Sequence, residues 1–242
     1  MKIEIKNISK KFNDTHAVKN LSFAIEENKT LGLLGPNGCG KTTSIGMFLG
    51  LIKPTSGSIE IDGIDINHAD RTEILSCMNF ASPYVELPKK LTVKQNLEIY
   101  GRLYGVKKLQ DRIDEIANDL NLNLFIDKKN GELSSGQRNR VSLAKSLINK
   151  PKILFLDEPT ASLDPDIGDF VRNYLDYYKK NNEITILLAS HNMNEVERLC
   201  DKIIMMKSGE IVDQGTCEEL INKHGRKNLE ETFLKIVREN NK

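Results

Sequence analysis

Leu31-Gly32-Leu33-Leu34-Gly35-Pro36-Asn37-Gly38-Cys39-Gly40-Lys41-Thr42-Thr43 is the stretch around which the rest of the chain is read. The apolar run Leu31 to Leu34 predicts a buried strand, and Gly35 to Thr42 fits the phosphate-binding spacing G-x-x-x-x-G-K-[ST]. Gly35, Gly38 and Gly40 permit backbone angles closed to other residues and let the N–H groups between them approach phosphate oxygens. The helix expected to start near Gly40 or Lys41 adds unpaired N–H groups and the positive end of its dipole. Lys41 supplies a mobile cation for the outer phosphates. Thr42 supplies a hydroxyl for Mg²⁺, a hard ion that takes oxygen ligands. A glycine-rich turn before a core helix would have a similar composition, but the preceding strand and the complete spacing favour a nucleoside triphosphate. On this stretch alone the base and the reaction stay open.

The chain has 242 residues, enough for one large α/β domain or two small ones with a substantial core. Its 35 Lys and Arg balance 34 Asp and Glu, so no global field draws it toward nucleic acid or an anionic membrane, and no nucleic-acid partner is expected. The longest apolar runs, such as Ile184 to Ala189, fall far short of the ~20 residues of a membrane span. The start, Met1 to Lys6, alternates apolar and charged residues and lacks the apolar centre of a signal peptide. The expected location is the cytoplasm, with any membrane contact made through a partner. Cys39, Cys77, Cys200 and Cys217 form no CxxC pair or ligand-like cluster and are read as reduced thiols.

Outward from the phosphate loop, Ile3, Ile5 and Ile8 and then Leu21, Phe23 and Ile25 alternate with polar residues, predicting half-buried antiparallel strands with Phe12 between them. The helix after the loop carries Ile45, Met47, Phe48, Leu49 and Leu51 and is expected to run to Lys53-Pro54. Gly57 to Gly63 reads as a short strand, Arg71 to Leu75 as a short helix and Cys77 to Ala81 as an apolar strand. From Pro88 the period changes. Thr92 is placed to cap a helix bearing Val93, Leu97, Tyr100 and Leu103; Leu109 to Leu122 is a second helix; a third follows Leu133-Ser134-Ser135-Gly136-Gln137. Strands return at Ile153 to Leu156, Ile184 to Ala189 and Ile203 to Met206, separated by helical patterns at Ile167 to Tyr178 and Met193 to Leu199. That alternation implies a buried parallel sheet. A hairpin at Gly209 to Val212 and helices at Glu218 to His224 and Leu229 to Val237 complete the pattern.

Two further strand ends carry chemistry. Lys152 to Leu156 runs into Asp157-Glu158, and ligands of open α/β sheets sit at the carboxyl ends of such strands. Asp157 there can hold Mg²⁺ and Glu158 can orient or deprotonate a water. In isolation the pair would read as an acidic turn cap; beside a phosphate loop it reads as functional. Leu188-Ala189-Ser190-His191 repeats the arrangement, placing His191 near a γ-phosphate.

The set GPNGCGKTT, LSSGQ, ILFLDEPT, SLD and SH, in this order over almost the whole chain, resembles the nucleotide-binding subunit of an ABC transporter. The resemblance implies a P-loop NTPase of the α/β class, with a mixed central sheet, N-terminal antiparallel strands and an inserted helical subdomain. It divides a single ATP-binding domain, 1–242, into a core of 1–81 and 151–220, a helical signature subdomain of 82–150 and a helical tail of 221–242. It implies an ATPase in which two copies, or this chain and a paralogous subunit, pack head to tail. Each ATP then lies between the phosphate loop of one copy (Gly35, Pro36, Asn37, Gly38, Cys39, Gly40, Lys41, Thr42, Thr43) and Ser134, Ser135, Gly136 and Gln137 of the other. Carried over by position, Glu158 is the general base, His191 contacts the γ-phosphate with Lys41, Thr42 and Asp157 serve Mg²⁺, and Asp164 communicates across the dimer. Phe12 stands where the family stacks a ring on adenine. A separate polytopic membrane permease is implied, contacted near Tyr84, Val85, Glu86 and Leu87, and the chain looks similar to prokaryotic exporters of the drug-resistance and polysaccharide or lipid class. The chain would then sit on the cytoplasmic face of the membrane through that permease. The rival readings are an ABC ATPase acting on ribosomes or DNA, and a weakly hydrolysing regulatory module.

Three positions depart from the family pattern. Ser82 stands where a glutamine usually touches Mg²⁺ and the attacking water; its shorter hydroxyl would act through water or an altered loop, with Glu86 nearby as a compensating group. A weak or unusually coupled ATPase is expected. Ser135 replaces the commoner glycine and is expected to be tolerated as a helix cap. Cys39 replaces alanine or serine, and reads either as a thiol activated by the helix N-terminus or as a small buried residue.

Overall fold

Alternating isoleucines open the chain as expected: Ile3, Ile5 and Ile8 turn inward on the first strand and are almost completely buried. A computed structural model describes residues 1–68, 71–161 and 163–239, with side chains through residue 236. The elements in chain order are β1 (Ile3–Phe12), β2 (Thr15–Ile25), β3 (Thr30–Leu34), α1 (Lys41–Phe48), β4 (Ser56–Ile61), β5 (Ile64–Asp65), α2 (Thr72–Ser76), β6 (Met78–Ala81), α3 (Val93–Leu103), α4 (Leu109–Asp119), α5 (Ser135–Leu147), β7 (Ile153–Asp157), α6 (Pro165–Asn181), β8 (Thr185–Ser190), α7 (Met193–Leu199), β9 (Lys202–Lys207), β10 (Glu210–Gly215), α8 (Cys217–His224) and α9 (Leu229–Glu239). They form two compact units, Met1–Ile74 with Thr185–Lys242, and Leu75–Ile184.

In the first unit β1 lies between β2 and β4, antiparallel to both. The period-two pattern of isoleucines dictates this register, with Ile3 opposite Ile25 and Ile61 and Ile5 opposite Phe23 and Ile59. A second, mixed sheet in the same unit runs β10-β9-β3-β8. Here β3 is parallel to β8 and β9 on either side, and every one of its residues is buried, as the continuous apolar run requires. The β9–β10 hairpin turns through Ser208 and Gly209, both with positive φ. Below the end of β3, Leu34 packs with Val196 of α7, Ile203 and Met205 of β9, Leu220 of α8, and Leu229 and Ile236 of α9. The C-terminal helices therefore share a core with the strand that feeds the phosphate loop.

The second unit holds β6 and β7, paired in parallel, together with α3, α4, α5 and α6. Thr92 caps α3 through a complete capping box with Gln95, as its position predicted. Three expected boundaries move. The helix after the loop ends at Phe48 instead of Lys53, because Gly50 turns left-handed (φ 66) and breaks the ladder. The second inserted helix stops at Asp119, with Leu122 and Phe125 buried in the turns beyond it. The 167–178 pattern extends at both ends, into a helix of 17 residues started by Pro165. Among the described residues no helix is long and apolar enough to cross a membrane, and the four cysteines form no disulfide.

Candidate functional site

In the first unit, parallel pairing aligns Leu34 of β3 with Ser190 of β8. Gly35 and His191 therefore leave neighbouring strand ends in register, the placement the apolar strands predicted. Past Gly35 the chain turns through Pro36, whose carbonyl accepts from Cys39 N–H at 3.2 Å. Gly40 then sits at φ 107 as the residue before α1, and a Cβ there would come 2.5 Å from Ala17 O. Only glycine fits this point, since both the dihedral and the close approach exclude a side chain. Lys41 is the first residue of α1; its Nζ donates to Gly35 O at 2.6 Å and to Pro36 O at 3.4 Å, so the ammonium is held inside the loop. Asn37, Gly38 and Thr42 face solvent, Thr43 is half-buried, and the first turn of α1 carries no acidic residue to compete with an anion.

Cys39 is 3% exposed, and a Cβ on Gly35 would come 2.5 Å from its Sγ. Of the two readings of this thiol, the geometry is that of a small buried residue filling the floor of the loop. Phe12, at the end of β1, is 47% exposed, so it is no core aromatic; Lys10 Nζ lies 4.9 Å from its ring centroid. The exposed ring with a cation against it is suited to stacking on a base.

His191 is exposed beyond β8. Its loop is fixed by Glu195, a residue the sequence reading missed. Glu195 is fully buried, and its Oε2 accepts from Ser190 Oγ at 2.6 Å, while the same hydroxyl accepts from Asn192 N–H at 3.0 Å. Asn192 in turn caps α7 by accepting from Glu195 N–H. The Asn192-to-Glu195 spacing at the start of a helix was the available signal.

In the second unit the same register logic operates. Ala81 of β6 pairs with Leu156 of β7, so Ser82 and Asp157 are the next residues along two adjacent parallel strands. Ser82, Asp157 and Glu158 are all buried, and Glu158 takes a left-handed backbone (φ 52) as the chain leaves the strand. Ser82 Oγ accepts from Tyr84 N–H at 3.3 Å, which commits part of its hydrogen-bonding capacity to its own turn. Glu86 pairs with Lys89 at 2.8 Å on the surface. In the next turn Ala161 N–H donates to Glu158 O at 3.0 Å; Ser162 lies outside the described residues, and Asp164 stands exposed before the first residue of α6.

The signature segment begins α5. The cap is Ser134, not Ser135: Ser134 Oγ accepts from Gln137 N–H at 3.2 Å and Gln137 Oε1 accepts from Ser134 N–H at 2.9 Å. Ser135 falls one position too late, inside the first turn, where its side chain cannot reach back. Ser134 and Ser135 are exposed, and Gly136 is buried against Ile167.

A cleft of ≈ 260 Å³ within the second unit is lined by the turn Ser82 to Leu87, by Asn130, and by α5 through Ser135, Arg138 and Asn139. Tyr84 and Val85 are exposed at its mouth. Leu87, expected on the contact surface, is instead 4% exposed, and its carbonyl accepts from the buried Asn130 Nδ2 at 3.1 Å. Asn130 Oδ1 is itself buried with no hydrogen-bond partner among the described residues.

A family model described as ABC transporter matches residues 18–161. The chain belongs to this family, and is an ATP-binding ATPase of the ABC transporter type. It is 33% identical over 244 residues to the ABC transporter ATP-binding protein NatA of Bacillus subtilis (strain 168), covering 98% of both chains. It is 34% identical over 224 residues to the Nod factor export ATP-binding protein I of Rhizobium sp. (strain N33), covering 92% of this chain and 73% of that one. The Fe(3+) ions import ATP-binding protein FbpC of Escherichia coli (strain K12) is 33% identical over 220 residues, 90% of this chain and 63% of its own. Among solved structures, an ATP-binding subunit of an ABC transporter superposes with a TM-score of 0.89 over 98% of this chain and 100% of that one, at 22% identity, a likeness of fold. A dimeric ATP-binding cassette in a post-hydrolysis state, bound to ADP and Pi, superposes with a TM-score of 0.81 at 28% identity, over 88% of this chain and 98% of that one.

Proposed function

We propose that two copies of this chain, or this chain and a paralogous subunit, close head to tail on two ATP molecules and hydrolyse them to drive export by a separate membrane permease on the cytoplasmic face. The reading is carried by the register of the strand ends, which brings His191 out beside the phosphate loop and Ser82 out beside Asp157. In it, Phe12 stacks on adenine, the amides of Gly35 to Thr43 and the Lys41 ammonium bind phosphates, and His191 holds the γ-phosphate. Thr42, Asp157 and Ser82 offer only oxygen, the donor type Mg²⁺ takes, and they are the residues that would hold it. When bound, the ion supplies positive charge that offsets the phosphate oxygens. Glu158 accepts the proton of the attacking water. Ser134, Ser135, Gly136 and Gln137 of the second copy present the N-terminus of α5 to the γ-phosphate, and Asp164 relays between the copies. Residues 82–150 act as the signature subdomain between the core segments 1–81 and 151–220, with 221–242 as a tail.

The cleft beside Tyr84, Val85 and Glu86 is the permease's docking place in this reading. The exposed Tyr84 and Val85 along this cleft support a protein occupant. Export is supported by the Nod factor export relative, matched over 92% of this chain, and is tested against import by the direction of cargo movement in vesicles carrying the co-purified permease. Glu158→Gln tests the chemistry: turnover should fall roughly 10²–10⁴-fold, the usual worth of a general base, while ATP affinity is kept. Unchanged turnover would remove Glu158 from the reaction and favour the weakly hydrolysing module.

A further inference from the structure

Among the described residues β6 ends the strand order, with β7 on one side and no strand on the other. The backbone groups of an edge strand that point away from the sheet need other partners. On β6 they find them in α5 and the turn after it. Lys145 Nζ donates to Phe80 O at 2.7 Å and to Asn79 Oδ1 at 3.3 Å. The same Asn79 oxygen accepts from Phe80 N–H at 2.8 Å, and its Nδ2 donates to Asn149 Oδ1 at 2.9 Å and to Lys145 O at 3.3 Å. Asn149 Nδ2 closes the row on Ser76 O at 2.9 Å and Met78 O at 3.4 Å. The open edge of β6 is thus laced along its length to the C-terminal half of the helix whose first turn is the signature segment.

Lys145 is the unusual member. It stands four residues after Val141 and three before Ile148, on the apolar side of α5, with its ammonium 5.5 Å from the Tyr100 ring centroid. A half-buried cation there still costs desolvation, and a Met or Leu would pack at lower cost. Its carbonyl partner, Phe80 O, lies two residues before Ser82, and the hydrogen bond is charge-assisted and correspondingly strong.

We propose that Lys145 is a positioning residue for hydrolysis: by clamping Phe80 and Asn79 from α5, it sets where Ser82 stands and makes the signature helix and the Ser82 turn move as one body. The proposal rests on the reading that Ser82 serves the reaction. It gives a route, absent from the motifs themselves, by which a shift of α5 on meeting the γ-phosphate reaches the turn that lines the docking cleft. Burial pushes the Lys145 ammonium down to about 8, so the clamp is charged below that pH and neutral above it. The titratable side chain recorded against it from α3 is Tyr100, and β6 presents only amide and carbonyl oxygens.

The test is steady-state ATP turnover of the full chain for wild type, Lys145→Met, Lys145→Gln, Lys145→Arg and Ser82→Ala, with thermal melting of each. Lys145→Met is expected to lower kcat roughly 10- to 100-fold with KM for ATP unchanged, the size of effect that small misplacements produce. Lys145→Gln guards against misfolding of the Met variant and should fall in the same direction. Lys145→Arg should restore kcat at pH 7, and the ratio of wild-type to Lys145→Arg turnover should fall as pH rises through 8, because only the lysine loses its charge there. A Lys145→Arg protein as slow as the Met variant, or a flat ratio from pH 7 to roughly 9.5, overturns the proposal and leaves Lys145 a packing residue. Normal turnover of Lys145→Met and Lys145→Gln beside a slow Ser82→Ala overturns the clamp while the Ser82 reading stands. Normal turnover in all three overturns both. A slow Lys145→Met beside a normal Ser82→Ala overturns the route through Ser82.

Discussion

A fully buried carboxylate four residues after an exposed histidine accepts from the Ser190 hydroxyl at 2.6 Å. That hydroxyl ends β8 and holds the first amide of the turn after His191, so Glu195 fixes the loop through Ser190. A buried polar group left without its hydrogen-bond partner costs about 1–3 kcal/mol, and removing Glu195 strips the Ser190 hydroxyl of its acceptor. Glu195→Ala is therefore expected to destabilise the protein by about 2 kcal/mol, readable as a lower denaturation midpoint, while Glu195→Gln keeps an acceptor and loses less. An Ala variant with the wild-type midpoint would mean that the contact contributes nothing net. The contrast with Lys41 is instructive. Its ammonium is held by Gly35 O and Pro36 O, two loop carbonyls that a phosphate can replace, so this polar group is kept in place by partners that can be exchanged.

At the scale of elements, helix starts do most of the work, and α5 shows how. Ser134 and Gln137 bond reciprocally, which satisfies two backbone donors and fixes the direction in which the first turn points. Ser134→Ala should cost about 1 kcal/mol of stability, whereas Ser135→Ala should be close to neutral; equilibrium unfolding of the two variants separates them, and the opposite order would return the cap to Ser135. The misassignment shows where sequence stops being legible. Periodicity and spacing located the strand before the loop, the parallel strand ends and the helix cap at Thr92, because those signals are local. A choice between adjacent serines depends on which one has extended backbone angles, and Ser134 has them (φ −66, ψ 166). Leu87 was placed on the permease surface by resemblance, which says nothing of burial, and the contact of its carbonyl with Asn130, 43 residues away, is one no local pattern shows. Lys145 and Asn79 were invisible for the same reason, since their meaning lies in an edge strand 65 residues upstream of the lysine. Glu195 is the exception: its spacing from Asn192 carried a readable signal.

For the whole molecule, the exposed features face outward in complementary kinds. The phosphate loop shows Asn37, Gly38 and Thr42 to solvent, and the signature helix shows Ser134 and Ser135. If each ATP is completed by the other copy, two differently damaged chains should repair one another. Lys41→Ala removes the cation for the phosphates and leaves the signature intact. Ser134→Asp keeps the helix cap, since aspartate caps as well as serine, but sets a carboxylate against the γ-phosphate. Each variant alone should be inactive. In a 1:1 mixture with random pairing, half the dimers are mixed and each has one intact composite site, so turnover should recover to about a quarter of wild type if the sites act independently. Recovery should grow with protein concentration, because association of two chains is required. A mixture as inactive as its parts, with mixed dimers demonstrated by tagged pull-down, would show that the phosphate loop and the signature of one chain act on the same ATP, and the head-to-tail sandwich would be wrong.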